Sequence, residues 1–144
     1  MANVFDVAKY ILEKKGQMST WKLQKLCYYC QAWSIAWDDG PLFPEDFQAW
    51  SNGPVCFELF KQHKGMFTIN AGKLQKGDSN NLSAIQKEDI DIVLRDYGDK
   101  EGYWLREQTH NEGPWKDARG DLPDGAPSNE VITQDAMGAY YGSL

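Results

Sequence analysis

The stretch that opens at Ser19 or Thr20 and closes at the Asp38-Asp39-Gly40-Pro41 breaker constrains this chain more than any other. A hydroxyl cap starts it and glycine and proline stop it, which defines a helix of about nineteen residues. Wound at roughly 100° per residue, it places Leu23, Leu26, Cys27, Cys30, Trp33 and Trp37 on one face and gathers Trp21, Tyr28, Ala32 and Ile35 on the other. Only narrow polar strips separate the two faces. A helix apolar on nearly all sides belongs in the middle of a domain or beneath a partner, since one lying on a surface has a single apolar stripe. The rest of the chain is expected to pack around it.

The remaining segments supply the packing material. Asn3 caps a first helix whose Val4, Val7, Ala8 and Ile11 share a face, and Gly16 ends it. Phe47 to Trp50 reads as a short extended piece. Ser51-Asn52-Gly53-Pro54 reads as a turn into a helix that runs to about Lys64, with Ser51 or Asn52 as cap and Pro54 in the first turn. Residues 71–81 lack periodicity and are expected to form a mobile surface loop. Ser83 and Gln86 have capping-box spacing ahead of the Ile90, Val93, Leu94, Tyr97 stripe. A short helix carrying Tyr103, Trp104 and Leu105 should follow Asp99, and Gly113-Pro114-Trp115 should restart one helical turn. Beyond an irregular stretch from Gly120 to Asn129, Glu130-Val131-Ile132 is expected to pair as a strand with the piece near Trp50, and a last helix should run from Thr133 to about Tyr141. The expected fold is mainly α: a single compact domain over residues 1–144, with five to six helices around the central apolar helix at about 20–38. Short β pieces are expected near 47–50 and 130–132.

Composition narrows the chemistry. With 144 residues, 42% hydrophobic, the chain can bury a core without a disulfide or metal staple. No apolar run reaches the roughly 18 residues of a membrane helix, and the N-terminus lacks the basic start and apolar stretch of a signal peptide. Three cysteines, an odd number, fit a reducing compartment, so a soluble, cytoplasmic protein is expected. A net charge of −6 disfavours nucleic-acid binding, for there is no dense basic run to offset phosphate repulsion.

Cys27-Tyr28-Tyr29-Cys30 has redox or zinc spacing, and Cys56 with His63 would complete a four-ligand set. Redox pairs, however, sit at helix N-termini, whereas this one lies mid-helix on an apolar face, where cysteine acts as a small hydrophobe. No cofactor and no metal are expected. The two histidines, His63 and His110, stand outside any recognised catalytic motif. His110, beside Glu112 and near Asp117, could form an acid–base pair, although a lone histidine in a turn more commonly ties backbone together. Trp50 and Trp115 flank turn sequences, an edge position favoured for protein-binding anchors.

Three blocks then fall into a known order: Trp21-Lys22-Leu23-Gln24-Lys25-Leu26-Cys27-Tyr28-Tyr29, Phe47 through Val55, and Leu105 through Trp115 with Thr109-His110-Asn111-Glu112-Gly113-Pro114-Trp115. Together with the tail from Val131 to Tyr141, they resemble the Panacea antitoxin domain over nearly the whole chain. The resemblance implies a mainly helical, non-enzymatic protein of a bacterial or phage toxin–antitoxin system that neutralises a cognate toxin protein by contact. It does not identify the toxin, because the family pairs with many unrelated toxin types. No appended DNA-binding region, of the kind some antitoxins carry, is expected. The expected partner-binding residues are Trp50, Asn52, Gly53, Pro54, His110, Glu112 and Trp115 in the two turn blocks, with no small-molecule substrate and no membrane. A phage accessory protein that binds a host factor, and a small hydrolase or metal protein built on His110, Glu112 and the cysteines, are the alternatives.

Overall fold

A computed structural model describes residues 2–144. The described residues form seven α-helices: α1 (Val4–Lys15), α2 (Thr20–Ala36), α3 (Phe57–His63), α4 (Ala84–Tyr97), α5 (Gly102–His110), α6 (Gly113–Arg119) and α7 (Gln134–Gly142). Five short strands accompany them: β1 (Met18–Ser19), β2 (Phe47–Trp50), β3 (Gly53–Val55), β4 (Thr68–Ile69) and β5 (Val131–Ile132). The fold is mainly α, with one helix more than the upper expectation, because the turn at Gly113 continues through Arg119 behind Pro114 in its first turn.

Helix α2 is the centre. Helices α1, α4, α5 and α7 and strand β3 all pack on it, and Leu23 through Ala32 are buried without interruption. Its polar strips are buried too, and they hold loop backbone. The Gln24 amide spans Cys56, accepting from the Cys56 N–H at 2.9 Å and donating to its carbonyl at 3.1 Å. About two turns further on, Gln31 accepts from the Leu42 N–H at 2.7 Å and donates to the Phe43 carbonyl at 2.8 Å. A side-chain amide offers one acceptor and two donors, so a buried glutamine can complete a stretch of backbone that has left regular structure.

The caps form where the sequence placed them. Asn3 and Asp6 cap α1 reciprocally, as do Ser83 and Gln86 on α4, and Thr133 caps α7. Strand β5 pairs antiparallel with β2, Phe47 opposite Ile132.

Two segments depart from expectation. Ser51 and Asn52 are not a helix cap but the two-residue turn of a β-hairpin, with Trp50 paired to Gly53 and Ala49 to Pro54. Pro54 therefore sits in a strand. It is tolerated there because β3 is an edge strand in the order β3-β2-β5, where a missing N–H need not break the ladder. Gly53, at φ +114°, takes the conformation that closes the turn, and α3 begins only at Phe57. Residues 71–81, expected to be mobile, are tied to α1. Lys9 donates to the carbonyls of Ala71 and Leu74 at 2.8 and 2.6 Å, Asp6 accepts from the Asp78 N–H at 2.8 Å, and Leu74 is buried.

Candidate functional site

The hairpin and the α5–α6 corner, 55 to 65 residues apart in sequence, meet at one end of α2. The indole N–H of Trp115 donates to the Trp50 carbonyl at 2.8 Å. The two ring nitrogens of His110 lie 2.7 Å from the Arg106 carbonyl and 3.0 Å from the Ser51 carbonyl, and its ring packs on Trp115 with centroids 3.8 Å apart. Arg119 completes the joint. Its guanidinium lies 5.0 Å from the centre of the Trp115 ring and donates to the carbonyls of Ala49, Pro123 and Ala126 at 2.9, 3.0 and 2.6 Å. A rigid five-donor fork suits a place where three loop carbonyls converge.

Glu112 holds the other side of the corner. It is buried, and one carboxylate oxygen accepts from the hydroxyls of both Tyr29 (2.7 Å) and Tyr141 (2.8 Å). The second oxygen accepts from the Gln108 amide at 3.4 Å. Burial raises the Glu112 carboxyl above the usual carboxylate range, against the three hydrogen bonds that favour its ionised form. Both phenols are pushed well above their ordinary range by burial and by this neighbouring carboxylate. From its place at the start of α6, Glu112 thus ties α2, α5 and α7 together, and Tyr29 carries the contact on to α4 by stacking on Tyr97 with centroids 4.3 Å apart.

The structure thus brings all seven expected binding residues together but exposes few of them. Gly53, Pro54, Glu112 and Trp115 are buried, Trp50 and His110 are half-buried, and Asn52 is exposed. His110 and Glu112 take different partners and do not form an acid–base pair. Cys27 and Cys30 are buried in α2, and Cys56 is the N-cap residue of α3, with its thiol toward Glu58 at 3.4 Å. Among the described residues no group of three or more histidine, cysteine or acidic side chains is placed to hold a metal, and no helix is long and apolar enough to cross a membrane.

What the hairpin block does present is an aromatic ribbon. Trp50 packs edge-on to Phe60 at 5.0 Å between ring centres and touches Phe57 at 6.5 Å, while Phe60 reaches Trp21 at 6.4 Å. Phe57 is 41% and Trp21 38% exposed. A cleft of about 630 Å³ lies beside Trp50 and Phe57, walled by Gln48, Ser51 and residues 127–129. A pocket of about 350 Å³ lies on the other side, between Trp21, Asn52 and Arg106. Sequence reasoning singled out Trp50 and missed its companions. Phe57 and Phe60 sit three apart on α3, a helical spacing that is indistinguishable in sequence from a core stripe. Arg119, with no sequence signal beyond its charge, was equally invisible.

Residues 23–116 match the family model described as antitoxin SocA-like, Panacea domain. The chain belongs to the Panacea-domain family. The match starts in α2 and ends in α6, so it contains the hairpin, the α5–α6 corner and three of the four ribbon aromatics, Trp50, Phe57 and Phe60, while Trp21 and the β5–α7 tail lie outside it. No curated protein and no solved structure matches the chain. Panacea-domain membership carries an antitoxin-type role and, with it, a protein partner.

Proposed function

We propose that this Panacea-domain chain neutralises a cognate protein toxin by direct contact, as the antitoxin of a bacterial or phage toxin–antitoxin system, and that its activity is binding and not turnover. The observation that carries the reading is the aromatic ribbon of Trp21, Trp50, Phe57 and Phe60, partly exposed between two concavities, with Trp50, Phe57 and Phe60 inside the matched region. Large aromatics left partly in water beside clefts are the usual anchors of protein interfaces, and a few such residues supply most of the binding energy.

The buried members of the two turn blocks have a different part in this reading. Trp115, His110 and Arg119 fix the hairpin on the helical frame, and Glu112 fixes the frame to α2 and α7. The ribbon therefore meets its partner already ordered, which spares the entropy that a flexible loop would lose on binding. An interface of about 1,200–2,000 Å² in total would cover the ribbon and both flanking concavities. The whole of residues 1–144 acts here as one binding unit, in the cytoplasm.

The test is genetic and direct. The product of the neighbouring reading frame is expressed with and without this chain. Arrest of growth by the neighbour alone, relieved by the chain, is the expected result. A harmless neighbour, or arrest that the chain does not relieve, contradicts the proposal.

A further inference from the structure

Lys25 is placed where a lysine is expensive. It lies in α2 with 1% of its surface exposed, and its ammonium has no hydrogen-bond partner among the described residues. It lies over the face of Trp21, 5.3 Å from the ring centre. Burial, with Arg106 nearby, brings its pKa down to about 7. Nothing in the fold requires a charge at this position, since Leu23, Leu26 and Cys27 around it are apolar.

The surroundings make room for this side chain. A Cβ on residue 53 would stand 2.5 Å from Cε of Lys25 and 3.2 Å from its Nζ, so Gly53 serves the lysine as well as the hairpin turn. Lys25, its ammonium buried, is one of the residues lining the pocket of about 350 Å³, together with Arg106, Asn52, Trp21, Tyr103 and Glu101. Arg106 donates to Asn52 at 3.3 Å and pairs with Glu107 at 3.2 Å, which leaves part of its fork free. Glu101 is exposed, and neither cation of the pocket pairs with it within 4.0 Å.

We propose that this pocket receives a carboxylate, the acidic side chain of a residue on the protein partner, held between the Lys25 ammonium and the Arg106 guanidinium. An orphaned ammonium beside an arginine fork lacks an anionic acceptor, and a carboxylate matches both donors. The volume suits one side chain and is at the small end for a nucleotide or cofactor. The protein source follows from continuity: Trp21 is both the rim of this pocket and the end of the aromatic ribbon, so a partner seated on the ribbon reaches the pocket. A partner seated over Trp21 and Tyr103 would cover the ion pair and keep it from water, where it is worth most. The assignment of the carboxylate to a partner rests on the proposed function, whereas the pocket's own chemistry does not.

The experiment has two arms. In the first, the full-length chain is titrated with acetate and, separately, with inorganic phosphate, following Cε of Lys25, Nε of Arg106 and the indole of Trp21 by NMR. Saturable shifts with acetate, a higher titration midpoint for Lys25, and loss of the response in Lys25→Met and in Arg106→Gln are expected; Arg106→Gln, at a half-exposed position, keeps the test valid if the core variant misfolds. Linear shifts, or shifts of equal size in the variants, overturn the pocket. Phosphate binding at least tenfold tighter than acetate overturns the carboxylate assignment. In the second arm, affinity for the toxin encoded by the neighbouring frame is measured. A loss of at least tenfold in Lys25→Met is expected, and unchanged affinity overturns the partner as source. Absence of any toxin binding with the acetate response intact counts against the antitoxin reading and leaves the pocket standing.

Discussion

Trp115 donates its indole N–H to the backbone carbonyl of Trp50 at 2.8 Å, so the hairpin turn and the start of α6 form one unit held from beneath. Trp115 itself is 3% exposed. Truncation to alanine should therefore act on stability first, lowering it by about 3–5 kcal/mol as the loss of a buried indole does. Trp115→Phe, which keeps most of the volume and loses the donor, should cost about 1–3 kcal/mol. Urea unfolding of the two variants checks the order. A Trp115→Ala protein as stable as the parent would place this side chain outside the core.

Glu112 gathers two phenol hydroxyls on one oxygen, 2.7 and 2.8 Å away. Glu112→Ala leaves the Tyr29 hydroxyl buried and unsatisfied, at about 1–3 kcal/mol, and leaves the Tyr141 hydroxyl only the Tyr28 hydroxyl at 3.2 Å. Glu112→Gln keeps an acceptor and should lie between that variant and the parent. Equal melting temperatures for all three proteins would show that water reaches the two tyrosines.

Lys25 makes stability depend on pH in a defined direction. Its folded pKa, about 7, lies below the 10.5 of a free lysine, so between these values the unfolded chain binds the extra proton and folding gains stability as pH rises. The penalty is fully present below pH 7 and gone above the free-lysine value. Lys25→Met should thus melt higher than the parent at pH 6, and the advantage should shrink steadily toward pH 10. Parallel melting curves across that range would contradict the placement of the ammonium in a dry site.

The thiols should be slow. Cys27 and Cys30 are fully buried, and burial raises both thiols well above their ordinary range; Cys56, also buried, is pushed up to about 12. Under native conditions a thiol reagent at pH 8 should label the three cysteines only at the rate of unfolding. Rapid labelling of one or more would reveal an open, reactive site.

Much of this was legible in the sequence. The two-faced apolar pattern of the helix from Thr20 identified the centre of the fold, and hydroxyl and amide caps at Asn3, Ser83 and Thr133 identified three helix starts, because both signals are local. The pairing of Val131-Ile132 with Phe47-Gln48 was also anticipated. The hairpin at Ser51-Asn52 reads in sequence as a helix entrance, since Asn-Gly-Pro satisfies the chemistry of either and only the register of Ala49 with Pro54 decides between them. The seven expected binding residues converge, and four of them, Gly53, Pro54, Glu112 and Trp115, are buried. Glycine and proline place a turn at the surface, but whether Trp115 points out of it or under it depends on the Trp50 carbonyl contributed by a distant segment. Lys25 went unremarked for a similar reason. A lysine two residues from Leu23 reads as part of a polar strip, and its burial follows only from Gly53 closing over it.

The central claim, that the ribbon is where the toxin binds, is tested most directly at Phe57. Its ring is 41% exposed and packs only at the edge of the ribbon, so Phe57→Ala should leave the melting temperature close to that of the parent. Calorimetric titration of the neighbouring-frame toxin into the parent and into Phe57→Ala compares the two affinities. The account predicts a loss of about thirtyfold, equivalent to about 2 kcal/mol, with the fold intact. A folded Phe57→Ala chain that binds the toxin with the parent's affinity would contradict it.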